Sequence, residues 1–326
     1  MSGIGIAQIR AARQAIAATI RQTPVVASSD LSAHCGVPVH LKLEHQQLTG
    51  SFKLRGATNA VSRLTPQERA RSVVGVSTGN HGRGLAYAAR AAGVRCVICM
   101  SALVPANKVE GIRAEGAEVR IIGRSQDEAQ HEVDRLVAEE GMTMLPPFDH
   151  PDIIAGQGTV GLEIFEALPE VETVLVQVSG GGLISGVAAA LKALSPGIRV
   201  IGVSMERGAA MHASLAAGKP VEVEELATLA DSLGGGIGLD NRHTFAMTRD
   251  LVDEVVLVSE AEIAAAVSHA YWKERQIIEG SGSVGIAALL AGKVRPRGVT
   301  LALLSGGNID MDLHYRLISG EVVDVS

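Results

Sequence analysis

Short β-branched runs alternate along this chain with Ala-rich stretches whose apolar residues recur every three to four positions. The runs at 39–43, 73–77, 95–100, 118–122, 173–178, 198–203, 254–258 and 299–304 predict strands. The stretches 81–92, 126–139, 184–194 and 260–274 predict helices, the last opening on a capping box of Ser259 with Glu262 three residues on. Near-continuous apolar strands between helices predict an α/β fold with a largely parallel sheet covered on both faces. No repeat of 20–50 residues and no low-complexity segment is visible. No linker rich in Pro, Gly or Ser separates two halves, so a second domain is expected as an insertion rather than an appendage.

Composition narrows the function classes. A length of 326 residues suggests two domains at about 150 residues each. Hydrophobic residues make up 47% and charged residues 20%, whereas aromatics are only 2% with Trp272 the single tryptophan, so aliphatic side chains must pack the core. The net charge of −6 argues against a nucleic-acid partner. No apolar run reaches the length of a membrane span, and no basic segment followed by an apolar one opens the chain. Cys96 and Cys99 have C-x-x-C spacing but lie inside an apolar run, with no second Cys or His pair nearby. They read as strand thiols rather than a zinc or redox site, and with Cys35 they fit a reducing, cytoplasmic location.

Ligands of such folds bind beyond the carboxyl ends of strands, which directs attention to four loops. In residues 179–183, Ser-Gly-Gly-Gly-Leu, backbone donors and a helix start can cradle an anion such as phosphate; the alternative is a tight turn. Gly180, Gly182 and Gly186 fit a dinucleotide fingerprint only with the spacing off by one, and no G-x-x-x-x-G-K-[ST] match exists. Lys53, after Gly50-Ser51-Phe52, stands at an expected helix start, where partial burial and the positive helix end would depress its pKa and make it a nucleophilic amine. A solvated surface lysine is the other reading. Asn80 and His81, in residues 77–82, could cap a helix or face a ligand, and Ser305-Gly306-Gly307-Asn308 could be an ordinary turn. Their joint occurrence after strands is what carries information.

The stretches TGSFKLRGA (49–57), STGNHG (77–82), SGGGL (179–183) and SGGN (305–308) resemble, in order and through nearly the whole chain, those of fold-type II pyridoxal-phosphate enzymes. The threonine/serine dehydratase and serine racemase branch is the most similar. Residues 77–89 and 202–211 resemble the hydroxyectoine-utilisation dehydratases more narrowly. The resemblance implies a tryptophan synthase β-like architecture: two open twisted sheets covered by helices, a large cofactor-binding domain of residues 1–47 and 147–326, and a small mobile domain of residues 48–146 that grips the substrate carboxylate. It also implies a homodimer and pyridoxal 5'-phosphate as cofactor. Lys53 matches the lysine that captures the cofactor aldehyde, preceded by Phe52. Asn80 matches the partner of the ring oxygen, and Ser179, Gly180, Gly181, Gly182 and Leu183 match the phosphate cradle. Ser305 matches the hydroxyl facing the pyridine nitrogen, where serine makes a weaker electron sink than a carboxylate would. Ser77, Thr78, Gly79, Asn80 and His81 match the carboxylate-binding loop. Arg83 and Arg207 belong to the narrower match; either could face a second polar group of the substrate or simply solvent.

Lys53, Thr78 and Ser305 are thus the expected catalytic residues. Thr78 stands where the racemase has serine as acid/base on the second face, and its extra methyl stiffens χ1, which favours elimination over racemisation. Ser204 and Ala210 stand where the family has two carboxylates on a divalent cation, so no metal site is expected. The sequence runs only a short way past the last motif, so no C-terminal regulatory domain is expected. The expected reaction is loss of the β-hydroxyl from a β-hydroxy α-amino acid to give a keto product and ammonia. A hydroxylated diaminobutyrate from hydroxyectoine breakdown is the substrate the narrower resemblance implies, with threonine, serine and 3-hydroxyaspartate as alternatives. A β-replacement enzyme and a non-catalytic amino-acid-binding protein are the competing classes.

Overall fold

The computed structural model describes residues 4–325 apart from Thr78, Leu103, Pro105 and Ser125; the side chains of Asn107, Gln126 and Asp127 are also outside the description. Ten strands form two sheets: β1 (Val25–Ser28), β2 (Val39–Lys42), β3 (Val73–Val76), β4 (Cys96–Met100), β5 (Glu118–Ile121), β6 (Thr143–Met144), β7 (Thr173–Gln177), β8 (Arg199–Met205), β9 (Glu254–Val258) and β10 (Thr300–Leu303). One sheet has six strands in the order β1-β2-β10-β7-β8-β9, parallel except for the β1–β2 pair. The other has four parallel strands in the order β5-β4-β3-β6. The chain leaves the six-stranded sheet after β2, builds the whole four-stranded sheet, and returns at β7.

Every predicted strand is present, and the apolar runs are explained by burial on two sides. Along β7 and β10, Leu175 and Ala302, with Leu304 just past β10, enter the core that includes helices Glu260–Trp272 and Gly280–Leu290. The intervening Val174, Val176, Leu301 and Leu303 enter the opposite core, with helices Pro151–Ala167 and Gly182–Leu194. The four-stranded sheet is covered likewise: helices Lys53–Ser62 and Asn80–Ala91 pack on one face and helix Gln126–Glu140 on the other. Ser259 and Glu262 form the expected capping box. The sequence pattern does not mark β1 and β6. The first is a half-exposed antiparallel edge strand and the second has only two residues, too short for any periodicity. Cys96 and Cys99 lie buried in β4, where loss of solvation pushes their thiols up to about 12 and about 11. Among the described residues, no helix is long and apolar enough to cross a membrane.

Gly186 belongs to packing, not to a nucleotide fingerprint. A Cβ there would collide with the Ile154 carbonyl oxygen and the Gly158 amide, so the glycine lets helices Gly182–Leu194 and Pro151–Ala167 touch backbone to backbone. That contact sets the direction in which the amino end of helix Gly182–Leu194 points.

Candidate active site

Strand β7 leads outward to β8 and β9, whereas β10 returns to the opposite flank of β7. Crevices open at the carboxyl ends of strands where such a reversal occurs. The cleft found there is lined by Phe52, Lys53, Asn80, residues 179–183 and Ser305. Four loops far apart in sequence therefore meet.

Lys53 is the first residue of helix Lys53–Ser62, and the loop before it is pinned to the loop after β10. Ser51 bridges Gly306, Phe52 N donates to Ser305 O at 3.0 Å, and Gly307 N donates to Gly50 O at 2.9 Å. The helix itself is anchored by Arg55, which is fully buried and donates to Glu44 at 2.8 Å and Glu163 at 2.6 Å. The Lys53 ammonium donates to Pro147 O at 2.9 Å. Burial pulls its pKa down to about 8, with Glu279 partly opposing the shift.

Facing Lys53 is the amino end of helix Gly182–Leu194. Gly181 occupies the left-handed region at φ +88°, no side chain caps the helix, and its first turn carries no acid. These free N–H groups and the helix dipole suit an anion. Side chains are excluded from the loop: a Cβ on Gly180 would strike the Phe148 ring, and one on Gly182 would lie 2.9 Å from Phe148 O.

Asn80 is the first residue of helix Asn80–Ala91, and its amide is clamped. Nδ2 donates to Glu279 Oε1 at 2.6 Å, and Oδ1 accepts from Asn308 Nδ2 at 2.7 Å. One amide hydrogen is left for the cleft. The Asn308 N–H donates to the other Glu279 oxygen at 3.2 Å. Glu279 is buried in the cleft wall, where lost solvation and nearby Asp231 push its carboxyl up to about 7.

Not every expected side chain reaches the cleft. Thr78 lies outside the described residues. Ser77 uses its hydroxyl to accept from the N–H groups of Gly79 (3.3 Å) and Gly82 (3.0 Å), holding the loop. Gly79 is the N-cap of helix Asn80–Ala91. The His81 ring is buried against Leu145 O at 2.9 Å, and burial together with Lys53 pulls its pKa down to about 3. Arg83 reaches Asn308 Oδ1 at 3.3 Å and lies over Gly111. Arg207 donates to Ala227 O at the surface. Ser204 is buried in β8 with its hydroxyl on Met205 Sδ, Ala210 opens helix Ala210–Ala217, and the described residues contain no cluster of three His, Cys, Asp or Glu suited to a metal.

Sequence reasoning missed Phe148, Gln177, Ser232, Leu233, Glu279 and Ser281, which also line the cleft. Glu279 precedes the small run Gly280-Ser281-Gly282 at a helix start, but no strand comes before it, so a search of loops after strands passes it by. Gln177 did leave a signal, as the lone amide at the end of the Thr-Val-Leu-Val run of its strand.

The residues fit pyridoxal phosphate. Lys53 offers an amine of lowered pKa, and the uncapped helix end across from it offers a phosphate seat with no room for side chains. Asn80 keeps a hydrogen for the ring oxygen, and Ser305 lines the cleft just past the end of β10.

Residues 16–306 match the family described as pyridoxal-phosphate dependent enzymes. The chain is 61% identical over 323 residues to a Sinorhizobium fredii protein named "Putative threonine dehydratase", covering 99% of this chain and 97% of that one. It is 41% identical over 321 residues to the L-threonine ammonia-lyase of Thermotoga maritima, covering 98% and 79%. Maize serine racemase superposes with a TM-score of 0.91 at 34% identity, covering 97% of each chain.

Proposed function

The chain belongs to the pyridoxal-phosphate dependent enzymes and takes pyridoxal 5'-phosphate as cofactor, and from that premise we propose that it is a carbon–oxygen lyase acting on a β-hydroxy α-amino acid. The products are a keto acid and ammonia. The observation that carries this reading is the meeting, in one cleft, of the Lys53 amine, the uncapped glycine-loop helix end and Ser305. The relatives named threonine dehydratase and threonine ammonia-lyase support it.

The bound cofactor supplies an aldehyde that captures the substrate amine and a ring that spreads the charge left when the α-proton departs. Lys53 Nζ, as a free amine of lowered pKa beside the cofactor's place, would be the base that takes this proton. The resulting ammonium can return it to the departing β-hydroxyl, which leaves as water. The enamine set free becomes an imine, and water converts that to the keto acid and ammonia. The N–H groups at the start of helix Gly182–Leu194 would hold the phosphate, the clamped Asn80 amide would hold the ring oxygen, and the loop at 77–79 with the start of helix Asn80–Ala91 would receive the substrate carboxylate. Residues 48–146 act as the small mobile domain.

The charge of the cleft bears on the substrate. Lys53 is the only cation among its described lining residues and Glu279 the only anion. The second carboxylate of 3-hydroxyaspartate would meet no free cation there and would lie near Glu279, which disfavours it. A distal ammonium would find in Glu279 a carboxyl with no salt-bridge partner among the described residues. That observation favours a hydroxylated diaminobutyrate, as in hydroxyectoine breakdown, as the finer reading beside threonine and serine. A second copy of the chain is the proposed partner. Trp272, Met311 and Tyr315 stand exposed on the packed helices Glu260–Trp272 and Met311–Ile318, an apolar face that a homodimer would cover.

The test is ammonia release from the cofactor-loaded protein with threonine, serine, 3-hydroxyaspartate and hydroxylated diaminobutyrate, using Lys53→Ala as control. Turnover of a hydroxy amino acid that is lost in Lys53→Ala supports the lyase, and preference for the diamino substrate supports the finer reading. Amino-acid binding without ammonia, or capture of added sulfide as a thiol amino acid, overturns the lyase in favour of a binding protein or a β-replacement enzyme.

A further inference from the structure

Asp149 is a charged residue that the reaction does not use, yet its carboxylate holds three backbone hydrogen bonds. Oδ1 accepts from the N–H groups of His243 and Thr244, each at 2.9 Å, and Oδ2 accepts from that of Arg242 at 2.6 Å. These donors stand at the amino end of helix Thr244–Leu251, whose own cap residue makes no side-chain bond and whose first turn carries no acid. A carboxylate 95 residues back in sequence caps it instead. What lies beside that bond decides what it positions. The ring of Phe148, the residue before Asp149, lies against Gly180, and Phe148 O is 2.9 Å from where a Cβ on Gly182 would stand. A Cβ on Gly181 would instead lie 2.9 Å from Thr244 Cβ and 3.1 Å from Thr248 Oγ1, both on the capped helix. The glycine loop is therefore walled by two elements, and Asp149 ties one wall to the other. Glycines have no side chains with which to hold their own conformation, so the shape of the loop depends on its walls.

We propose that Asp149 is a positioning residue for the phosphate seat: by tying residue 148 to the start of helix Thr244–Leu251, it fixes the spacing in which the N–H groups of the glycine loop converge on one phosphate. Asp149 does not line the cleft, so it acts through Phe148 and Thr244 rather than on the ligand. A preformed seat of this kind lowers the ordering cost of binding, and that gain falls on the phosphate end of the ligand alone. The inference rests on residues 179–183 being the cofactor's phosphate seat.

The experiment compares full-length wild type, Asp149→Ala and Asp149→Asn loaded with pyridoxal phosphate. Phosphorus NMR reads the bound phosphate. Absorbance titration of the same proteins stripped of cofactor gives their affinities for pyridoxal phosphate and for pyridoxal, which lacks the phosphate. In Asp149→Ala the phosphorus resonance should broaden and move toward that of free cofactor. Pyridoxal phosphate should bind about tenfold more weakly and pyridoxal less than about twofold more weakly, in line with hydrogen bonds to a charged group. Asp149→Asn keeps an oxygen for His243 and Thr244 but turns an amide N–H toward that of Arg242, so it should fall between the two. A residue that merely caps a helix would lower the melting temperature and leave both the resonance and the ratio of the two affinities unchanged. That result in Asp149→Ala overturns the proposal; should this variant fail to fold, the same result in Asp149→Asn does so. Borohydride reduction and peptide mapping of the wild type locate the cofactor. Attachment away from Lys53, or equal wild-type affinity for the two compounds, overturns the phosphate seat itself and is told apart from failure of the Asp149 role alone.

Discussion

A lysine amine attacks a carbonyl only when it has lost its proton, so the pKa of Lys53 sets the pH at which the cofactor-free protein can take up an aldehyde. Burial has brought that pKa down to about 8. The rate of capture of pyridoxal phosphate, followed by rapid-mixing absorbance, should therefore climb about tenfold per pH unit below 8 and level off above it. A midpoint near 10.5 would mean that the amine is not held dry. Glu279 carries the opposite kind of signal. Its carboxyl is raised above the unfolded value of 4.5 to about 7. The folded state thus binds this proton more tightly than the unfolded one, and the stability contributed is full below pH 4.5 and lost as pH rises through 7. In the cofactor-free protein Glu279→Gln should match wild type near pH 4.5. At pH 8 it should be the more stable by up to about 3 kcal/mol, read from urea unfolding at the two pH values. Equal stability at pH 8 would show that water or a counter-charge reaches the carboxyl.

Helix Lys53–Ser62 shows both what a sequence reveals about an element and what it hides. Its start was legible, because Gly50-Ser51-Phe52 precedes a run of good helix formers. Its inner face was not. A Lys-Leu-Arg stretch reads as charged surface, yet Arg55 is 0% exposed and shared between Glu44 and Glu163, with Lys42 on Glu163 at 2.5 Å. Charge pairing across 11 and 108 residues of chain leaves no local pattern to read. The strands were legible for the converse reason: burial on two faces writes a continuous apolar run into each, and only the edge strand β1 and the two-residue β6 escaped. Glu279 and Gln177 escaped as site residues because neither stands in a loop after a strand. Removing one member of a buried charge network leaves the others uncompensated. Arg55→Met should consequently destabilise the protein by about 3–5 kcal/mol, measured as a lower urea midpoint at unchanged slope. A loss under about 1 kcal/mol would place the network in contact with water.

Over the whole molecule, the four-stranded sheet joins the rest through the chain near Lys53 and Pro147 on one side of the cleft. On the other side Lys108, in helix Ala106–Ala114, meets Asp231 of the turn Asp231–Leu233 at 2.5 Å. The pair is partly exposed (29% and 51%), so it adds no more than about 1 kcal/mol to stability. Its position across the cleft gives it leverage on how often the two sheets stand closed over a substrate, and 1 kcal/mol of closure is about a fivefold change in apparent affinity. Asp231→Asn should raise KM for the amino acid about two- to fivefold with kcat within about twofold and the melting temperature nearly unchanged. Wild-type KM should rise toward the variant's value in high salt, because exposed pairs are screened. Asp231 also pushes the Glu279 carboxyl up whereas Lys108 pulls it down, so a change in KM could arise through Glu279 instead. Lys108→Met separates the two causes. It breaks the same tie but shifts Glu279 in the direction opposite to Asp231→Asn. KM rising in both variants assigns the effect to closure; KM moving in opposite directions assigns it to the carboxyl and removes the tie from the closing motion.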